Sequence, residues 1–267
     1  MNLPNSNSTD KLLNFVIKGN TNSDKKIVLI HGLFGSLENL NMVANHFTED
    51  YMVISIDARN HGKSFHHHSM SYKEMANDVI KVLDHLNIQQ CFLLGHSMGG
   101  KIAMQCALDN QSRIKALIVA DIAPVNYPPH HNVIIDGLKS INLSQIGSRR
   151  DADEKLSQYV EEPGVRQFLL KNLVKTDLGF VWRVNIDNIA NDYNSIAEGF
   201  TPPSLYNGPT LFVKGGNSNY ITAEHQQIIK QLFPLASAKI IQGAGHWLHA
   251  EKTVAFNKIV SNFIGNN

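Results

Sequence analysis

The sequence predicts an α/β fold in which a mostly parallel central sheet is flanked by helices and carries a helical cap insertion. Short apolar runs alternate with segments of helical periodicity through the first 124 residues, and the alternation resumes near residue 210. The runs at residues 27–30 and 116–120 are continuously apolar, which is typical of parallel strands buried on both faces. Polar and Gly-rich motifs follow these runs, at the strand ends where such sheets carry their functional sites.

The chain divides into a sheet-forming part and an inserted cap. The predicted strands occupy residues 12–18, 27–30, 51–56, 91–94, 116–120, 210–214 and 238–241. The predicted helices of the same part occupy residues 39–47, 72–86, 101–108, 223–233 and 253–264. Residues 125–204 are richer in charge and show no clear buried strand, so we expect a helical cap inserted into a single domain that spans residues 1–267.

The cap contains a predicted helix at residues 165–174 and several aromatic side chains. Tyr127, Phe180 and Trp182 are expected either to line an acyl pocket or to pack between the cap and the sheet.

Composition favours a soluble, cytoplasmic protein. The 267 residues are 43% hydrophobic, and the net charge of +1 does not favour binding to nucleic acid or to an acidic membrane surface. No apolar run is long enough to span a membrane, and the polar residues 1–10 lack the apolar core of a secretion signal. Cys91 and Cys106 are expected to be buried free thiols. The oligomeric state is not predicted.

The segment GHSMGGK at residues 95–101 lies between a predicted strand and a predicted helix. Its G-x-S-x-G spacing is typical of a nucleophile elbow, in which a strained turn projects the hydroxyl of Ser97 and the flanking glycines avoid clashes. One alternative is a phosphate-binding loop ending at Lys101, although Ile102 stands where that motif needs Ser or Thr. A second alternative is a Gly-rich packing turn without a reactive serine.

A serine nucleophile needs a base, and thirteen histidines compete for that role. His246 is the best placed, because it follows the last predicted strand in a Gly-rich loop downstream of the serine. His96 and His249 are expected to be structural. The three consecutive histidines at residues 66–68 predict a solvated loop rather than a metal site. The expected chemistry requires no cofactor or metal.

An oxyanion hole needs two backbone amides. Met98 directly follows the predicted nucleophile and is expected to supply one of them. The loop HGLFG at residues 31–35 is expected to supply the other, with Leu33 as the first candidate and Phe34 as the second. His31 is expected to support this loop.

Together these motifs resemble the α/β-hydrolase fold family, and specifically the bacterial YbfF-type esterases. The matching segments are HGLFG at 31–35, DARNHGKS at 57–64, MSY at 70–72, GHSMGGK at 95–101, DIAPVNY at 121–127, GGNSNY at 215–220 and GAGHWLHAEK at 243–252. GHSMGG is a fold-level signal, whereas DIAP together with GGNS is more specific. Thr253 stands where such sequences often have proline.

The resemblance also implies the acid of a catalytic triad. Many family members carry it after the strand predicted here at residues 210–214, where this chain has GGNS and no acid before Glu224. The YbfF-type pattern instead implies Asp121, after the preceding strand, as the acid and Ser218 as a supporting hydroxyl. The alternatives are that Asp121 only stabilises a turn, or that Asp57 is the acid. We expect Asp57 to pair with Arg59.

The expected function is a serine hydrolase that cleaves small acyl esters, or acyl thioesters such as acyl-CoA, through an acyl-enzyme. The same triad is compatible with an acyltransferase, a hydrolase of carbon–carbon bonds or a perhydrolase. A non-catalytic ligand receptor of the same fold is the remaining alternative.

Overall fold

The computed structural model describes residues 11–201 and 205–267, so the predicted polar segment at residues 1–10 lies outside the described residues. One seven-stranded sheet forms the centre of the fold. Its strands are β1 (Phe15–Gly19), β2 (Lys26–Ile30), β3 (Met52–Ile56), β4 (Cys91–His96), β5 (Ile114–Ala120), β8 (Thr210–Gly215) and β9 (Ala236–Ile241), and a separate hairpin consists of β6 (Leu173–Thr176) and β7 (Gly179–Trp182).

The strand order in the sheet is β1-β3-β2-β4-β5-β8-β9. Strand β1 runs antiparallel to β3, and all other neighbouring strands are parallel. The mostly parallel sheet predicted from the sequence is therefore confirmed. Because β2, β4, β5 and β8 are neighbours, the loops that follow them meet at one edge of the sheet.

Helices cover both faces of the sheet. The α-helices of the described residues, those of the insertion included, are α1 (Asn41–Phe47), α2 (Tyr72–His85), α3 (Met98–Asp109), α4 (Asn132–Ser140), α5 (Arg149–Leu156), α6 (Pro163–Leu170), α7 (Ile186–Asn191), α8 (Tyr193–Ala197), α9 (Gln226–Leu232), α10 (Leu248–Glu251) and α11 (Thr253–Gly265). In β2, Val28 and Ile30 join the core on one face, whereas Ile27 and Leu29 join the core on the other. This alternation explains why the strand is apolar at every position.

Helix α3 begins at Met98, three residues before the predicted start, because Ser97 is its N-cap residue and the turn at Ser97 leads directly into the helix. Helix α11 begins at Thr253, so the absence of a proline there does not prevent the helix start.

The described part of the insertion, residues 125–201, contains α4 to α8 and the hairpin β6–β7. The prediction of one helix over residues 165–174 is wrong in its second half, where a short and mostly unburied hairpin begins. Helix α6 ends at Leu170, and the side chain of Asn172 then donates to the carbonyls of Phe34 at 2.7 Å and Leu169 at 3.1 Å. Strand β6 follows and reverses through a turn to Gly179, whose φ of +114° favours glycine.

Cys91 and Cys106 are buried free thiols, as predicted. In the two described ranges, no helix combines the length and the apolar character needed to cross a bilayer. The cytoplasmic location stays a prediction.

Candidate active site

Ser97 occupies a strained turn between β4 and α3. Its φ of 54° and ψ of −122° lie outside the regions that non-glycine residues usually adopt. A Cβ atom on Gly95 would lie 2.0 Å from the carbonyl oxygen of Gly99, and one on Gly99 would lie 2.3 Å from that of Ile30. The turn therefore requires both glycines, for the steric reason that the motif indicates.

The structure brings Ser97, His246 and Asp121 together in one hydrogen-bonded chain. His246 Nε2 lies 3.0 Å from Ser97 Oγ, and His246 Nδ1 lies 2.8 Å from Asp121 Oδ2. These residues follow β4, β9 and β5 respectively. Because the carboxylate accepts a hydrogen bond from Nδ1–H, Nε2 is left as the acceptor for the serine proton. The arrangement can thus activate a serine hydroxyl.

Asp121 is fully buried and saturated with donors. The amide of Gly215 donates to Oδ1 at 2.9 Å, and the hydroxyl of Ser218 donates to Oδ2, the atom that also accepts from His246. Ser218 in turn accepts from the amide of Tyr220 at 3.2 Å. The end of β8 and the loop after it therefore contribute one donor each to the carboxylate, although neither holds an acid. Glu224, the next acid in the chain, is exposed.

Asp57 has a different environment, and its predicted pairing with Arg59 is wrong. Its carboxylate accepts from the amides of Leu37 at 2.7 Å and Lys63 at 2.9 Å, which fixes two loops. Arg59 instead forms a buried ion pair with Asp78 at 2.7 Å. Asp57 therefore has backbone amides as partners and Arg59 has another carboxylate, so the two side chains do not pair.

Two amides are available for an oxyanion. Over residues 11–201 and 205–267, the amides of Leu33 and Met98 have no hydrogen-bond acceptor. The amide of Phe34, the second candidate, donates to His61 Nε2 at 3.0 Å and is therefore occupied. Burial lowers the pKa of His61 to about 3, so its ring stays neutral and keeps Nε2 as an acceptor. Leu33 and Met98 remain the candidates.

His31 supports the loop that carries Leu33. Its hydrogen bonds are made with backbone groups and not with Ser97 or His246. Its Nε2 accepts from the amide of Ala58 at 3.1 Å, so Nδ1 carries the proton that it donates to the carbonyl of Gly32 at 2.7 Å. Burial lowers the pKa of His31, which favours this neutral form.

The other histidines have structural contacts. His96 Nε2 lies 2.8 Å from the carbonyl oxygen of His246, and the His96 ring packs against His249. Burial lowers the pKa of His96 well below its ordinary value and that of His249 to about 4. His67 Nδ1 accepts from Arg59. The described residues contain no group of three or more His, Cys, Asp or Glu side chains suited to a metal ion.

Two further residues lie at the site and were not predicted. The ring of Tyr220 stacks on that of His246, with centroids 4.0 Å apart, and so fixes the imidazole plane. Lys101 is buried, and its ammonium donates to the carbonyls of Val125 at 2.8 Å, Ala197 at 3.3 Å and Glu198. It thereby ties both ends of the insertion to α3.

This engagement of Lys101 also bears on the phosphate-binding alternative. The lysine of a phosphate-binding loop must reach the ligand, whereas Lys101 is committed to three backbone carbonyls. Burial lowers the pKa of Lys101 to about 7. The segment thus lacks a free lysine as well as the Ser or Thr of that motif.

A cavity of about 30 Å³ lies beside Ser97, which is room for one or two water molecules. Leu33 and Met98 line it from the sheet side. The insertion and its flanks line the other side, with Tyr127, Pro128, His130, His131, Tyr193, Ile196 and Ala197. Of the two alternatives for the aromatic residues, Tyr127 shows both, because it lines the cavity and packs against the hydrophobic core, whereas Phe180 and Trp182 pack against the core.

Comparisons with known proteins agree with this architecture. The family model for the alpha/beta hydrolase fold matches residues 25–141. The chain is 40% identical over 246 residues to the mouse protein named sn-1-specific diacylglycerol lipase ABHD11, covering 89% of this chain and 80% of that protein. It is 37% identical over 246 residues to the Escherichia coli protein named esterase YbfF, covering 92% and 95% respectively.

The structural comparison gives the same result. The solved structure of a marine microorganism esterase matches with a TM-score of 0.91 at 38% identity, and the match covers 95% of this chain and 99% of that one. The chain belongs to the α/β-hydrolase fold family. Within that family it is similar to the YbfF-type proteins, as its motifs predict, and the relatives named above are esterases and a lipase.

Proposed function

We propose that this protein is a serine carboxylic-ester hydrolase that cleaves small acyl esters through an acyl-enzyme intermediate. The observation that carries the proposal is the chain of contacts from Ser97 Oγ to His246 Nε2 at 3.0 Å and from His246 Nδ1 to Asp121 at 2.8 Å. The esterase and lipase names of its relatives support the same class of enzyme.

In the acylation step, Ser97 Oγ attacks the ester carbonyl carbon while His246 Nε2 takes the hydroxyl proton. The negative charge that develops on the carbonyl oxygen is accepted by the amides of Leu33 and Met98, close to the N-terminus of α3. Asp121 stabilises the imidazolium. The bond to the alcohol oxygen then breaks, and the proton on Nε2 passes to the leaving alcohol.

In the deacylation step, a water molecule gives one proton to His246 Nε2 and attacks the acyl carbon. The second tetrahedral intermediate uses the same two amides. It collapses with release of the carboxylic acid, and the proton returns to Ser97 Oγ.

The dimensions of the cavity favour small esters. A volume of about 30 Å³ accommodates only a few heavy atoms unless the insertion moves. We therefore propose that residues 125–204 act as a cap on a single domain and limit the size of the ester. Thioesters such as acyl-CoA are a second proposed substrate class, because the attack on the carbonyl is the same and only the leaving atom differs.

The test is hydrolysis of p-nitrophenyl esters and acyl-CoA thioesters of increasing acyl length by the purified protein. We expect turnover that is highest for short acyl groups, and a loss of several orders of magnitude in Ser97→Ala with an unchanged melting temperature. Near-normal turnover by the folded Ser97→Ala variant would exclude the serine mechanism. Product analysis with an added alcohol distinguishes hydrolysis from acyl transfer, since a transferase forms a new ester.

A further inference from the structure

His131 faces the cavity beside Ser97 but has no part in the acylation chemistry described above. It immediately precedes α4 of the insertion and lines the same cavity as Ser97, Leu33 and Met98. Its ring packs edge-on against that of Phe34, with centroids 6.4 Å apart, in the loop that carries the oxyanion amide of Leu33. A polar ring from the insertion therefore lies close to the reacting atoms.

The hydrogen bonds of Tyr193 fix the protonation of this ring. The backbone amide of His131 donates to Tyr193 Oη at 3.2 Å, and His131 Nδ1 lies 2.7 Å from the same oxygen. Among the acceptors that the structure describes, Nδ1 is the one within reach of the Tyr193 hydroxyl proton. Tyr193 therefore donates to Nδ1, and in the neutral ring the proton must be on Nε2.

The ring is neutral near pH 7. Burial is the main cause that lowers the pKa of His131 to about 4, and the charges of His246 and His130 add to it. Within the described ranges, Nε2 has no hydrogen-bond partner in the protein, and it is not a fully buried atom. It therefore keeps access to open space, and the cavity is the space that this side chain lines. His131 thus offers the cavity a neutral N–H donor.

Most other donors of the cavity wall are already engaged by the protein. The hydroxyl of Tyr72 donates to Ile196 at 2.6 Å, that of Tyr127 donates to Tyr220, and Lys101 is bound to carbonyls.

The remaining side-chain donors of the wall, besides the nucleophile, are His131, the exposed His130 and the Tyr220 hydroxyl. The Tyr220 ring is held by its stacking on His246, but its hydroxyl proton rotates about the C–O bond. Tyr193 and Phe34, in contrast, fix the direction of the His131 Nε2–H. A fixed donor discriminates between ligands better than a mobile one, because less entropy is lost on binding.

We propose that His131 is a specificity-determining residue whose Nε2–H binds an acceptor oxygen in the alcohol part of the ester. The proposal rests on the ester hydrolase function proposed above. The alcohol side follows because Tyr220, whose ring stacks on that of His246, lines the same cavity as His131, and His246 delivers its proton to the leaving alcohol. The favoured substrates are esters whose alcohol carries a second oxygen, such as an ether or a hydroxyl, two carbons from the ester oxygen.

The test compares 2-methoxyethyl butanoate with butyl butanoate, which differ by one ether oxygen in place of one methylene. The ratio of their kcat/KM values is measured for the wild type, His131→Leu, His131→Gln and the control His66→Leu, an exposed histidine outside the cavity lining. We expect His131→Leu to lower the ratio about five- to tenfold, the equivalent of one neutral hydrogen bond. His131→Gln keeps an N–H donor and should retain most of the preference, and the control should retain all of it.

A structural role of His131 would lower both kcat/KM values equally and leave their ratio unchanged, and this result would overturn the proposal. The proposal is also wrong if the preference is lost in His130→Leu or Tyr220→Phe but kept in His131→Leu. If the folded wild-type protein hydrolyses neither ester nor the p-nitrophenyl esters, the ester hydrolase function itself fails, and the role of His131 fails with it.

Discussion

The replacement Asp121→Asn tests the proposed acid of the triad most directly, because it preserves shape and removes only charge and acceptor capacity. In the wild type, Oδ1 accepts from the amide of Gly215, while Oδ2 accepts from His246 Nδ1 and from Ser218. An asparagine has one acceptor oxygen and one donor nitrogen for the same partners. Either orientation of its amide therefore leaves a conflict.

If the amide nitrogen faces His246, Nδ1 must accept, the imidazole proton moves to Nε2, and His246 cannot take the proton of Ser97. If the amide oxygen faces His246, the amide nitrogen opposes the N–H of Gly215, which costs about 1–3 kcal/mol for the unsatisfied donors. The variant also loses the attraction between carboxylate and imidazolium, about 4 kcal/mol for charges ~4 Å apart at an effective dielectric constant of ~20. The amide dipole recovers part of this.

A combined loss on the order of 5 kcal/mol corresponds to a decrease in kcat of about 10³- to 10⁴-fold. The measurement is kcat for a short-chain p-nitrophenyl ester, with the melting temperature determined in parallel. A folded Asp121→Asn variant within tenfold of wild-type activity would refute the assignment of Asp121 as the acid. In that case Asp57→Asn and Glu224→Gln are the next variants, and a large loss of activity without unfolding would identify the acid among them.

The other predictions concern the hydroxyl that supports Asp121 and the dependence of protein stability on pH. Ser218→Ala removes one of the three donors to Asp121 and should lower kcat about tenfold, and a loss as large as that of Asp121→Asn would show that Ser218 has more than a supporting role. His249 is buried with its pKa lowered to about 4, so the unfolded chain binds more protons below about pH 6.5, and stability should fall as the pH decreases from 6.5 towards 4. In His249→Phe, the free energy of unfolding measured by urea denaturation should fall between pH 7 and pH 5 by about 2 kcal/mol less than in the wild type. An equal fall in both proteins would contradict the attribution of this pH dependence to His249.

Short sequence motifs predicted those parts of the site whose conformation depends on residues close in the sequence. The glycines on both sides of Ser97 indicate the turn, because a side chain at either position would collide with the neighbouring backbone. The continuous apolar runs predicted the parallel sheet, because its strands are buried on both faces. No single apolar run predicts the order of these strands in the sheet. Asp121 could therefore be assigned only through the family resemblance.

The insertion was predicted least well, because its structure depends on contacts far apart in sequence. The apolar spacing of α6 continues past the real end of the helix. Asn172 ends α6 by donating to the carbonyl of Phe34, 138 residues away in the chain, and the hairpin β6–β7 follows. Lys101 and His131 gain their environments only when the insertion folds back over α3. Periodicity contains no information about such contacts.

The positive φ angles at the sheet edge show how the fold determines the site. Phe34, Ser97 and Asp121 have φ angles of 59°, 54° and 51°, and they follow β2, β4 and β5, which are neighbours in the sheet. Each is a non-glycine residue in a conformation that costs free energy, so each must be held by its surroundings. His61 binds the amide of Phe34, and Gly215 and Ser218 bind the carboxylate of Asp121. The surrounding structure thus offsets the strain beyond the ends of three neighbouring strands. Because β2, β4 and β5 are neighbours in the sheet, the candidate oxyanion hole, nucleophile and acid lie next to one another.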